Sequence, residues 1–295
     1  GLGLWWFAPG YGLLALGTAY YLRGRALLPR TQAEDDTFRE ADRRLCLALI
    51  LSGAAMAHEL TLRANGKVTE GAPLAVSVHS GHKFIVPEEV ESLERVKAGP
   101  FVDGKLMPQP LTGNEKGLCI DFTVPEVKAG ESLIVVAEKD GGVWSVTNEG
   151  GKSGARKDLE AQGLKVKSAV KHDKYAKLIL NASKDDKNFA TAVGHPLEVI
   201  PVTNPADAKV GEFFEVKVVL EGQPYTGPVW ATYDGFVTEY ENTYAYYTEA
   251  ESGTAFIKIT APGLWGVRAR QDGLPGVEGT YDSRTVRSFL LFEVK

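Results

Sequence analysis

After residue 57 the chain is a succession of short runs in which apolar and polar residues alternate. The alternation has period two in Leu74-Ala75-Val76-Ser77-Val78, in Leu118 to Val124 and in Ser132 to Ala137. It returns in Phe214 to Leu220, Ala255 to Ile259 and Gly266 to Arg270. Period two sends successive side chains to opposite faces of an extended strand, so each run predicts a half-buried strand. Turn-forming clusters separate the runs: Ala64-Asn65-Gly66, Lys128-Ala129-Gly130, Asp140-Gly141-Gly142, Glu221-Gly222-Gln223-Pro224 and Ala261-Pro262-Gly263. Short strands at this spacing predict an all-β fold of antiparallel sandwiches. One short helix is expected over 157–162. Residues 146–160, rich in Gly, Lys, Asn and Ser, read as a long mobile loop.

The charged, apolar-poor run Lys184-Asp185-Asp186-Lys187 marks a boundary. It predicts a first sandwich over 58–185 and a second over 190–295. The second has an immunoglobulin-like rhythm, with a strand after Gly211, another at Pro228-Val229-Trp230-Ala231, and a hairpin centred on Ala250 to Gly253. Trp230 and Trp265 are expected in its core.

The first 57 residues follow a different pattern. Trp5 to Leu22 is a nearly uncharged apolar run long enough to cross a bilayer, and Arg23, Arg25 and Arg30 after it would mark a cytoplasmic end. A second run, Leu45 to Ala57, follows Arg43-Arg44 and ends in small residues at Ala55 and Ala57, the order of a secretory signal. Residues 1–40 thus read either as a membrane anchor or as a mis-started gene model. Cleavage after Ala57 would leave 238 residues outside the cytoplasm, periplasmic or extracellular.

Composition narrows the partners. A net charge of -5 argues against nucleic acid, which requires a basic face. Of the two cysteines, Cys46 lies within the signal, so Cys119 would be alone; its alternating context predicts a buried thiol. No nucleophile elbow, phosphate loop, H-E-x-x-H or C-x-x-C is present, so no enzyme is predicted.

Histidines supply the candidate chemistry. Cleavage after Ala57 would make His58 the first residue, and its amine and imidazole would chelate Cu²⁺ or Ni²⁺ together. Cleavage after Ala55 would make it the third residue, suited to square-planar nitrogen ligation of the same ions. His79 and His82 form H-x-x-H; on a straight strand they face oppositely, and a bend at Gly81 would let both reach one ion. Pairing of the first strand with the strand over 74–80 would bring His58 to them. Weaker candidates are His172 with Asp173, which reads as a solvated surface pair, and His195, which reads as a domain-junction residue. Tyr240, Tyr244 and Tyr246 fall at even spacing and would line one strand face as a sugar-stacking or partner surface.

Several runs resemble one family: Ala57-His58-Glu59-Leu60, Gly81-His82-Lys83-Phe84, Lys174-Tyr175-Ala176-Lys177, and Gly194-His195-Pro196-Leu197-Glu198 through Pro201, Asn204-Pro205 and Gly211. The chain from 57 to 295 resembles the periplasmic family associated with nickel and cobalt uptake. Thr248-Glu249-Ala250-Glu251 departs from its Thr-Asp-x-x-Gly hairpin. The resemblance implies an exported all-β protein that works beside membrane metal-transporter subunits, with nickel or cobalt as its ion. The alternatives are an adhesin-like or carbohydrate-binding sandwich using the tyrosines, and a copper oxidase centred on a terminal His58 with a second histidine facing it.

Overall fold

The computed structural model describes residues 58–237, 241 and 243–295. The anchor and signal segments and Tyr240 lie outside the described residues. Among those described, no helix is long and apolar enough to cross a membrane.

The fold is all-β and is organised around one nine-stranded sheet. Its spine is formed by β7 (Leu133–Thr147), β9 (Val166–Leu180), β16 (Gly263–Val277) and β17 (Tyr281–Val294). On one side lie β3 (Val96–Val102), β4 (Lys105–Leu106) and β8 (Gly150–Ser153); on the other lie β13 (Gly227–Tyr233) and β14 (Tyr246–Ala250). Neighbours pair antiparallel except β17 and β9, which run parallel from Ser283↔Val170 to Phe292↔Ile179. That parallel seam joins strands from the two sequence halves into one sheet.

Two four-stranded sheets cover it. The first holds β1 (Glu59–Ala64), β2 (Leu74–Gly81), β6 (Cys119–Val124) and β5 (Thr112–Asn114). The second holds β10 (Leu197–Pro201), β11 (Phe213–Leu220), β12 (Gln223–Pro224) and β15 (Thr254–Lys258). Alternation along the spine places them on opposite faces. Leu290 and Phe292 of β17 pack with Val199, Phe214 and Ile257 of the second small sheet. Phe289 and Leu291 pack with Leu60, Val78 and Phe122 of the first. Strands covered on both faces read as continuous apolar runs, as Ser288-Phe289-Leu290-Leu291-Phe292 does.

The alternating runs all lie in strands, and Trp265 is fully buried in the second core. Trp230 is instead half-buried against Tyr244, Tyr247 and Arg268. The expected loop over 146–160 is a correction. There β7 runs on to Thr147, turns at a Gly150 with φ +105°, and returns as β8; helix α1 (Arg156–Ala161) follows. Glycine and asparagine there build a tight hairpin, with the Asn148 side chain accepting from the Lys165 backbone N–H.

Candidate metal centre

The centre forms where β1 begins and β2 ends. These strands pair with Glu59 opposite Gly81, so His58 and His82 emerge side by side. Gly81 supplies the close approach that lets the following loop fold back: a β-carbon there would collide with the Val86 carbonyl oxygen. The Glu88 N–H then donates to the Ser80 carbonyl at 2.9 Å, which brings Glu88 beside His82. Phe84 pins the loop's other end. Its ring stacks on Phe289 at 5.9 Å and lies over Gly266, where a side chain would strike it. Ile85 between them is buried with φ +62°, a strained position for a β-branched residue.

The two imidazoles meet edge to face with ring centroids 4.2 Å apart. Glu88 Oε2 lies 2.6 Å from His82 Nδ1 and 3.5 Å from His58 Nε2. Glu89 Oε1 lies 2.6 Å from His58 Nδ1. One donor atom from each of His58, His82 and Glu88 falls within 4.8 Å of the others, as do those of His58, Glu89 and Glu91. Burial works to raise the Glu88 carboxyl, but hydrogen bonds from His82 and the charges of His82 and His58 hold it below the usual carboxylate range. Glu91 is engaged elsewhere: it pairs with Lys139 and accepts from the Ser80 hydroxyl at 2.6 Å. Imidazole and carboxylate donors at such range could hold a divalent metal ion.

His79 does not join them. It is buried with Nδ1 3.1 Å from the Ile85 carbonyl oxygen, and burial pushes its imidazole below the ordinary value. It thus holds the strained Ile85 turn. Cys119 sits opposite it in the β2–β6 register, buried, with its thiol 3.5 Å from Asp121.

The weaker candidates are scattered. His172 and Asp173 are successive residues of β9 and point to opposite faces. Neither fits the solvated surface reading: Asp173 is buried and accepts from Arg284 Nε at 2.6 Å. Both His172 ring nitrogens are buried without a partner. Burial, helped by Arg287 and Lys174, pushes that imidazole down to about 4. His195 is buried 4.7 Å from the Tyr175 ring and 3.5 Å from Glu138. Tyr244 packs toward the first core and Tyr246 toward the second, so even spacing does not give them one face. Sequence reasoning passed over Glu88, Glu89 and Glu91, although an acidic cluster six to nine residues beyond His82 was a readable signal.

A buried ionic layer lies beneath the centre. Glu59 accepts from Arg268 at 2.7 Å and from Arg287 at 3.3 Å, and Lys139, Lys174 and Glu91 lie close by. All but Glu91 of these six are less than a tenth exposed, or at that limit. Burial and the neighbouring Lys139 push Lys174 down to about 8.

These features define an all-β protein of paired sandwiches with a histidine–carboxylate cluster at one strand end. The chain belongs to the family described as a domain of unknown function, DUF4198, whose model matches residues 55–273 and so takes in the whole cluster. No curated protein matches the chain.

Proposed function

We propose that this is an exported protein that binds a divalent transition metal, nickel or cobalt, and serves as an accessory to a membrane uptake system. The observation that supports the reading is the convergence of His58, His82 and Glu88 within 4.8 Å. His58 and His82 supply imidazole nitrogens, Glu88 a carboxylate oxygen, and Glu89 stands ready at the other side of His58. Two nitrogens and an oxygen suit Ni²⁺, Co²⁺, Cu²⁺ and Zn²⁺ alike, so availability at an uptake system would choose among them. The nickel and cobalt preference, the periplasmic location and the transporter partners come from the sequence resemblance.

The facing rings favour a second reading for the ion. If cleavage follows Ala57, the new amine and imidazole of His58 with His82 offer three nitrogens, a set that favours Cu²⁺.

Calorimetric titration with Ni²⁺ and with Cu²⁺ tests both. We expect His58→Ala and His82→Ala each to weaken binding by about tenfold or more, and His79→Ala, which removes no donor to the ion, to weaken it less than either. Binding must also fade as pH falls, since imidazole and carboxylate ligate only when deprotonated. Equal affinity in the parent and the His58→Ala, His82→Ala double variant sinks the metal reading.

A further inference from the structure

We infer that Arg268, which packs against Trp230 and Tyr244, is a positioning residue for the metal centre, acting through Glu59 to fix the chain at His58. The inference rests on the metal reading above and adds what holds its first ligand in place.

His58 stands immediately before β1, at the start of the ladder, where a strand end would ordinarily fray. Three contacts oppose that. Arg287 Nη1 donates to the His58 carbonyl at 3.3 Å, and the same nitrogen lies 3.3 Å from Glu59 Oε1. Arg268 Nη2 reaches that same oxygen at 2.7 Å. Both arginines come from the nine-stranded sheet, Arg268 from β16 and Arg287 from β17, whereas Glu59 opens the small sheet's first strand and His58 precedes it. The ligand is therefore tied to the opposite layer and not only to its own ladder.

Arg268 is itself held. Its guanidinium carbon lies 4.7 Å from the Trp230 ring and 5.5 Å from the Tyr244 ring, and the two rings are 6.2 Å apart, so both pack on the guanidinium from neighbouring directions and restrict it by cation–π contact. Lysine has the charge but neither the plane nor the fork. The tyrosine-rich segment thus gains a role: Tyr244 supplies a second aromatic ring against Arg268. Burying two arginines against one carboxylate carries a desolvation cost, which the positioning role would account for.

The test is a double-mutant cycle read by Ni²⁺ calorimetry on the full chain. Arg268→Lys should weaken Ni²⁺ binding about tenfold in the parent and have no effect once His58 is Ala. Equal losses in both backgrounds, or no loss in the parent, overturn the positioning role. Should Arg268→Lys fail to fold, Tyr244→Leu keeps the apolar packing, removes the ring against Arg268 and carries the same two expectations; Tyr244→Phe, which keeps the ring, should restore parental affinity. A parent that binds no Ni²⁺ overturns the metal reading itself and this inference with it, an outcome distinct from a parent that binds and is indifferent to Arg268.

Discussion

The two faces of the nine-stranded sheet are built by different physics. On the second small sheet's side, Trp265, Phe214, Phe292 and Ile257 close a dry core, and Phe214 stacks on Phe292 at 4.1 Å. A fully buried ion pair, Lys177 with Glu198 at 2.6 Å, is satisfied further by the backbone N–H groups of Val193 and Gly194. On the other side the apolar core of Leu60, Val78 and Phe122 gives way to ions toward the start of β1. There Arg268, Arg287, Lys139 and Lys174 outnumber Glu59 and Glu91. An apolar face gains stability from burial, whereas buried ions carry a desolvation cost that their pairing must offset.

The contrast breaks most visibly under truncation. Trp265→Ala and Glu59→Ala should each cost about 3–5 kcal/mol, the first by opening a cavity, the second by leaving two buried arginines without their carboxylate. Only the second should be rescued by its partners: Glu59→Leu combined with Arg268→Met and Arg287→Met should return to parental stability or exceed it in chemical denaturation. If the triple variant is as unstable as Glu59→Ala, the ionic face is not the costly one.

A smaller effect should come from Lys174. Its amine titrates at about 8 in the fold against 10.5 for a free lysine. Below pH 8 it is charged in both states and the burial cost is fully present. Between 8 and 10.5 only the unfolded chain keeps the proton, so stability rises with pH. Lys174→Met should therefore gain about 1–4 kcal/mol at pH 7, with the gain shrinking toward pH 10.5. A pH-independent difference between the two proteins would contradict this.

The gentlest probe is His172. Its folded value of about 4 lies below the free 6.5, so the unfolded chain takes up the proton first. The stability this neutral imidazole supports is complete above 6.5 and is lost as pH falls toward 4. Thermal melts of His172→Gln should show a flatter acid limb across that window. Parallel limbs for the two proteins would mean that His172 is not buried in its neutral form.

Much of this was legible in the chain. Strand positions, turns and the all-β class follow from local alternation, because a strand with one wet face must repeat every two residues. Even the meeting of His58 with His82 was foreseeable, since it needs only the first strand to pair with the second and a bend at Gly81. Strand β9 was not legible. Val166 to Leu180 carries Lys167, Lys171, Asp173, Lys174 and Lys177 and reads as surface, yet it is a spine of the sheet. Asp173, Lys174 and Lys177 are buried, and Glu198, Arg284 and Glu91 arrive from distant parts of the chain to meet or offset them.

The sequence alone determined what local rules govern: period, turn chemistry, the residue types available at 58, 79 and 82, and the glycine that permits the close turn at 81. Tertiary structure alone decided which charges are buried, that the two small sheets lie on opposite faces, that Glu88 joins the pair while His79 turns to Ile85, and that arginines some two hundred residues away hold Glu59. Those outcomes depend on contacts between segments far apart in the chain, and the free energy of a buried ion is set by its neighbours in space and not by its neighbours in sequence.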